Sequence, residues 1–369
     1  MSTTPSIQLS RRETTVLRGL AIGLIIVHNF CHWLPRCIDE NEYTWALSRI
    51  TRYVQYIQDG GPHLILNFFS HYGHYGVALF LFLSGYGLVK KYEAPLQLPQ
   101  GESSAQDPLR SGASPLGRWI RGGLEALSFL FHHALKLWQL MIPALIALWA
   151  LKSFYAGGWK WHSDAVVQLL TFTVNLNPHR PLILGPWWWF SLMMQFYILY
   201  RLVLYRRGKA VLLATVAACL ALQFWATWQS LGQLHNSSCI MTYLHYNFPC
   251  SVLPFALGLW TARYGADWLF HPLTAVASLA VVVAGSYNPW VWSVASPFAV
   301  AVMLQGRRLP LHWLGTISAW VFAIHPIVRE YTIGPARAGH VYTALFAYIA
   351  VTLLTAWLVT FLSRKITRR

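Results

Sequence analysis

The stretch Arg18-Gly-Leu-Ala-Ile-Gly-Leu-Ile-Ile-Val-His28-Asn29-Phe-Cys-His32 places two histidines in an apolar run that opens on an arginine. Ionisable groups at membrane depth are costly and face a polar cavity or the interior of a bundle. Histidine is the side chain best suited to exchanging protons near neutral pH. On a helix His28 and His32 share one face, a turn apart. Arg18 lies about 15 Å away along the axis, ten residues at 1.5 Å each. A mid-membrane imidazole can take a proton from a hydroxyl that attacks an acyl carbonyl and return it to the leaving group. The arginine can bind an anionic donor through its phosphates. Two other readings stand beside this one. Both histidines can simply bond neighbouring helices, or the i, i+4 pair can hold a metal ion. No HExxH motif and no carboxylate partner lies near the pair in sequence, so no metal is expected.

Further candidates are spread along the chain. Ser84, Gly85 and Gly87 in the segment beginning Tyr72-Gly-His74 read first as a packing seam of small residues. Ser84 is also a candidate for hydrogen-bonding a substrate. Arg118, Arg121, His132, His133 and Lys136 form a basic approach to the next apolar segment. They serve either as a topological flank or as a surface for donor phosphates, and the two roles are compatible. Gly185-Pro-Trp187-Trp-Trp-Phe-Ser191 reads as an interfacial aromatic anchor, with stacking on sugar rings as the alternative. His325, followed by Pro326, is one more histidine within an apolar segment, and a structural hydrogen bond is its plainest role. Asn236-Ser-Ser fits a glycosylation sequon that chance also produces. The five cysteines have no CxxC spacing and suggest neither a disulfide framework nor a zinc site.

Elements of a particular kind must hold these residues. Of the 369 residues, 56% are hydrophobic and only 11% charged, and the mean hydropathy is +0.41. A soluble chain carries about 25% charged residues. Ten segments are apolar over lengths near the ~17–25 residues that cross a bilayer as a helix: 15–34, 73–90, 133–152, 187–205, 209–228, 248–263, 270–286, 289–305, 312–330 and 341–363. Alternation of the barrel-strand kind is absent. The fold expected is therefore an all-α polytopic bundle of about ten transmembrane helices. With the N-terminus inside, twenty Lys and Arg fall on the cytoplasmic side and eight outside, which puts both termini in the cytoplasm. The net charge of +16 is thus spent on topology and not on nucleic acid. A single domain over 15–364 follows, between a cytoplasmic tail (1–14) and a basic cytoplasmic tail (365–369). It carries an external loop (35–72) with the acidic run Asp39-Glu-Asn-Glu42 and a flexible cytoplasmic loop (91–132) rich in Pro, Gly and Ser over 94–115. The apolar patch Leu64 to Phe69 is expected to rest on the membrane surface. No removable signal peptide is expected.

Four blocks in this order, RGLAIGLIIVHN, GVALFLFLSGYGL, PWWWFSLMMQFYILY and LGTISAWVFAIHP, resemble the membrane acyltransferase-3 superfamily of bacterial inner-membrane proteins over residues 14–364. The resemblance implies a multi-pass O-acyltransferase that moves an acyl group, most often acetyl, from acyl-CoA to a hydroxyl of a cell-envelope glycan or glycolipid. The family's first-span arginine maps to Arg18 and its essential histidine to His28. Many members carry a second histidine where this chain has Asn29, and His32 is an additional candidate one turn on. Catalysis is therefore assigned to His28, Arg18 and His32. The donor falls to Arg18, Arg118, Arg121, His133 and Lys136, and the acceptor to Asn29, Ser84, Trp187 and His325. The family's arginine-x-x-arginine entering the third span corresponds here to His133-Ala-Leu-Lys136, which departs from it. Acyl-CoA is a donor substrate and no bound cofactor is implied. The rival of a different class is a transporter of an envelope intermediate, since intramembrane histidines also relay protons in carriers. Against it, no inverted repeat is evident.

Overall fold

The computed structural model describes residues 7–34, 37, 40–61, 63–93, 115–155, 163–177, 179, 182–231 and 240–366, with side chains from Ile120 in the longest helix and up to Ser363 at the C-terminus. Asp39, most of the Pro/Gly/Ser-rich stretch, the Asn236 sequon, Cys239, the Arg118 side chain and the last three residues of the basic tail lie outside the described residues.

Among the described residues the chain is all-helical. The helices are α1 (Arg11–Cys31), α2 (Leu47–Gln58), α3 (Leu64–Tyr72), α4 (Tyr75–Tyr92), α5 (Pro115–Tyr155), α6 (Ser163–Leu170) and α7 (Trp188–Leu199). They continue as α8 (Lys209–Ser230), α9 (Ile240–His245), α10 (Phe248–Tyr264), α11 (Pro272–Tyr287), α12 (Pro289–Met303), α13 (His312–Arg337) and α14 (Val341–Ile366). Each of the ten expected apolar segments falls on one of these helices. Four stretches, Arg11–Cys31, Ile120–Tyr155, Lys209–Ser230 and Val341–Ser363, are long and apolar enough to cross a membrane. The outer faces of α8 and α14 leave Trp225, Trp228, Phe346, Leu354 and Trp357 exposed, a surface suited to hydrocarbon.

The two long loops hold more structure than their composition suggests. α5 already begins at Pro115, so the loop expected over 91–132 is helical from Pro115 onward. Helix propagation costs little once a long apolar segment has nucleated it, even through Gly122-Gly123. The loop expected over 35–72 contains α2, with Ile50 buried, and α3, whose Leu64, Ile65 and Phe68 are exposed.

α1 starts on a capping box. The Ser10 Oγ accepts from the Glu13 amide at 3.1 Å, and the Ser10 amide donates to the Glu13 carboxylate at 2.9 Å. α1 packs between α4 and α13, and α4 packs closely on α10. The Leu9 amide donates to the Tyr86 hydroxyl at 3.0 Å, and Lys90 Nζ donates to Gln8 at 2.7 Å. The start of α1 therefore meets the end of α4, and the two helices run antiparallel. This end gathers cations: Arg307 faces Glu13 at 3.6 Å, and Arg263 forms a buried pair with Glu93 at 2.7 Å. Arg263 also donates to the Leu204 carbonyl at 2.7 Å, tying down the π-turn Tyr200–Leu204 that extends α7. The opposite end, where α1 stops, carries the histidines and the loop that follows them.

Candidate active site

His28 sits in the last turn of α1, 3% exposed. Its Nδ1 lies 3.0 Å from the Ser70 carbonyl and 3.2 Å from that of Phe69. Carbonyls only accept, so Nδ1 carries the hydrogen, and in the neutral ring Nε2 keeps its lone pair. Nε2 is buried without a hydrogen-bond partner, and Glu42 Oε2 lies 3.6 Å from it. The ring is thus oriented from behind by α3, with the Glu42 carboxylate in front of it.

His32, just past the end of α1, has its ring centroid 4.2 Å from that of His28 and pairs with Glu40 at 2.8 Å. That pairing and burial act in opposite directions on Glu40; the imidazole wins, and the carboxyl is pushed down to about 2. The loop that brings both carboxylates back onto α1 is pinned at several points. Asn41 Oδ1 accepts from the Ala46 amide and from Arg49, each at 3.0 Å, and its carbonyl accepts from the Trp292 indole. Tyr43 stacks on Tyr246 with centroids 4.3 Å apart. Cys31 and Cys37 are free thiols in contact at the root of this loop.

His28, Asn29 and His32 open onto a cavity of about 160 Å³, walled by Trp33, Tyr43, Trp188, Trp189 and Tyr246. Glu42 and Tyr43 also line an adjoining cavity with Asn41, His74, Gln223, His245 and Trp292. The His28 ring therefore faces space and not lipid. On α13, Arg329 reaches the same cavity, 3% exposed, donating to the Asn29 carbonyl at 2.9 Å and to its Oδ1 at 3.2 Å. Asn29, a candidate for the acceptor, is thus a holder of this arginine.

Other expected site residues fall elsewhere. Trp187 is fully buried and donates to the Ala323 carbonyl at 3.2 Å, so it ties α7 to α13, while Trp188 and Trp189 line the cavity. Ser84 donates to the Phe80 carbonyl of its own helix at 2.8 Å and contacts Met193, in a packing seam. His325 is fully buried with Nδ1 3.2 Å from the Val321 carbonyl and does not line the cavity. At the cationic end, His133 is a core ring, bonded to Phe129 at 2.8 Å and packed on Tyr197. Lys136 lies against Lys91, and Lys91 lines an open cleft with His132, Arg201 and Tyr205. Arg18 and Arg121 are exposed, and neither pairs with a described residue.

The expectation that no carboxylate stands near the histidine pair is corrected. Ligand-capable atoms of His28, His32, Glu40 and Glu42 lie within 4.8 Å of one another, an arrangement that could hold a metal ion. The loop fold brings the two glutamates there, which sequence spacing could not reveal. A cation at this place would occupy the Nε2 lone pair, so metal binding and proton capture by His28 exclude each other.

The signal for Glu40 and Glu42 was present as an acidic run beside the histidines. Arg329 carried one as well, as a lone cation a turn beyond His325. No curated protein and no solved structure matches the chain. A family model described as an acyltransferase domain matches residues 13–363, nearly the whole chain. The chain belongs to the acyltransferase-3 family.

Proposed function

We propose that this chain is an integral-membrane O-acyltransferase of the bacterial inner membrane. It moves an acyl group, acetyl in the first instance, from acyl-CoA to a hydroxyl of a cell-envelope glycan or glycolipid. Ten crossings with both termini in the cytoplasm put the cationic end inside and the His28 cavity in the outer half. The observation that carries the reading is the His28 imidazole, with Nδ1–H donated to Ser70 and Nε2 free toward the cavity.

His28 Nε2 takes the proton of the acceptor hydroxyl as its oxygen bonds to the thioester carbonyl carbon. The C–S bond then breaks, and the thiolate receives that proton. Arg18, Arg121, Arg118, Lys91 and Lys136 hold the donor phosphates, two adjacent ammonium groups being a natural seat for an anion. An extended pantetheine arm covers the distance of about 15 Å from Arg18 to His28. The aromatic walls suit sugar faces, and Trp188 and Trp189 take the stacking role expected of Trp187.

Membrane vesicles from cells producing the protein, given radiolabelled acetyl-CoA, should build base-labile label onto envelope saccharide. His28→Ala should abolish it at unchanged protein abundance. Label that persists in this variant overturns the assigned base. Vesicle uptake of saccharide without label in the wild type favours the transporter.

A further inference from the structure

We infer that Arg329 holds the negative charge that forms on the acyl carbonyl oxygen during transfer. The inference rests on the reading of His28 as the base for acyl transfer.

Arg329 is a buried cation with no carboxylate in close contact among the described residues. It makes no ion pair with a described carboxylate, and its neighbour Glu330 is taken by Lys152 at 2.8 Å. A desolvated guanidinium is expensive, and such groups are ordinarily paired with an anion. Here the group is instead fixed by neutral contacts. Its Nη1 donates to the Asn29 carbonyl and Oδ1, and its plane lies over the Trp33 ring at 4.6 Å. Its Nε is buried with no hydrogen-bond partner. The cavity it lines is also lined by His28.

A rigid, unpaired cation beside a free base fits an anion that exists only while the reaction passes. A permanently charged substrate group would be held equally in ground state and transition state and would not speed the chemical step. The hydroxyl oxygen bonds to the carbonyl carbon while its proton passes to His28 Nε2. The carbonyl π pair moves to oxygen, facing Arg329. That pair then returns, the C–S bond breaks, and the thiolate takes the proton from His28. Removing one such donor slows related reactions by roughly 10²–10³-fold.

The test follows thiol release from acetyl-CoA in membrane vesicles over a range of donor concentrations, for wild type, Arg329→Gln, Arg329→Lys and Arg329→Gly. We expect kcat to fall about 100-fold or more in Arg329→Gln with KM for acetyl-CoA within about threefold. Arg329→Lys should keep a larger share of the rate. Millimolar guanidinium ion should restore part of the rate of Arg329→Gly and none of that of His28→Ala. A raised KM at unchanged kcat means that Arg329 binds a ground-state anion and overturns the inference, as does a wild-type rate. Should the Arg329 variants fail to accumulate, Asn29→Ala, which loosens the guanidinium without removing its charge, must lower kcat alone. If it does not, the inference falls. Wild-type vesicles that release no more thiol than vesicles lacking the protein overturn acyl transfer itself, a different failure from a wild type that is active and indifferent to Arg329.

Discussion

Gly73 presses so closely on His28 that a Cβ added to it would lie 2.7 Å from the His28 Cβ and 2.5 Å from the Phe69 carbonyl. This turn between α3 and α4 sets the Ser70 carbonyl against Nδ1. Gly73→Ala must push α3 away from α1 and so release the imidazole. Overpacking of this kind costs about 1–3 kcal/mol. Transfer activity should fall about tenfold or more while the protein still accumulates in the membrane. Activity assays beside a melting curve in detergent check this; wild-type activity would show that Ser70 does not orient the base.

The His32–Glu40 pair makes a second prediction, about pH. The Glu40 carboxyl stands at about 2 in the fold against an ordinary 4.5. A lowered folded value contributes stability that is complete above the ordinary value. It declines below 4.5 and is gone below about 2. Glu40→Gln should therefore melt below wild type by its largest margin near pH 5–6, and the margin should narrow as pH drops under 4.5 and as His32 loses its proton at higher pH. Breaking a half-buried pair of this kind costs about 1–2 kcal/mol. Melting temperatures of both proteins from pH 7 to pH 3 measure it, and a margin that does not narrow removes the ion pair as its cause.

What the sequence could and could not disclose follows from the range of the interactions involved. His28 and His32 are neighbours on one helix, and i, i+4 spacing alone puts them together. The ten apolar segments are likewise local patterns, and a helix lies at each. Glu40 and Glu42 reach the histidines only because Asn41, Tyr43 and Trp292 fold the loop back. An acidic run read by itself looks solvated. Arg329 meets Asn29 across three hundred positions, by packing of α13 on α1. Among Trp187, Trp188 and Trp189, each residue turns about 100° from the last on a helix. Which ring faces the cavity is then set by tertiary packing, and the first of the three faces the core. His133 is similar: its position in a basic string suggested phosphate, but helix rotation turned it onto Tyr197.

Two glycines of the same segment separate packing from flexibility. A Cβ on Gly85 would sit 2.3 Å from the Phe255 carbonyl of α10, whereas a Cβ on Gly87 meets nothing within 4 Å. Gly85→Ala should force α4 and α10 apart and lower stability by about 2 kcal/mol or more. Gly87→Ala should be neutral or stabilising by up to about 1 kcal/mol, because alanine is the better helix former. Paired melting curves in detergent decide it. Equal loss in both variants would mean that residue size at the α4–α10 seam is not what matters.

The four-residue cluster provides the last test, because one lone pair cannot serve both a proton and a metal. If His28 works as a base, the resting enzyme keeps full activity in a chelator. Added zinc should then inhibit by occupying His28 Nε2 together with His32, Glu40 or Glu42, whose ligand atoms lie within 4.8 Å. His32→Gln combined with Glu40→Gln removes two of the four ligands and should weaken zinc inhibition about tenfold or more, leaving some transfer activity. Thiol release from acetyl-CoA, measured with chelator and across a zinc titration, reads both effects. Loss of activity in the chelator, restored by zinc, would reverse the assignment. His28 would then be a ligand, and the proton would have to leave the hydroxyl by another route.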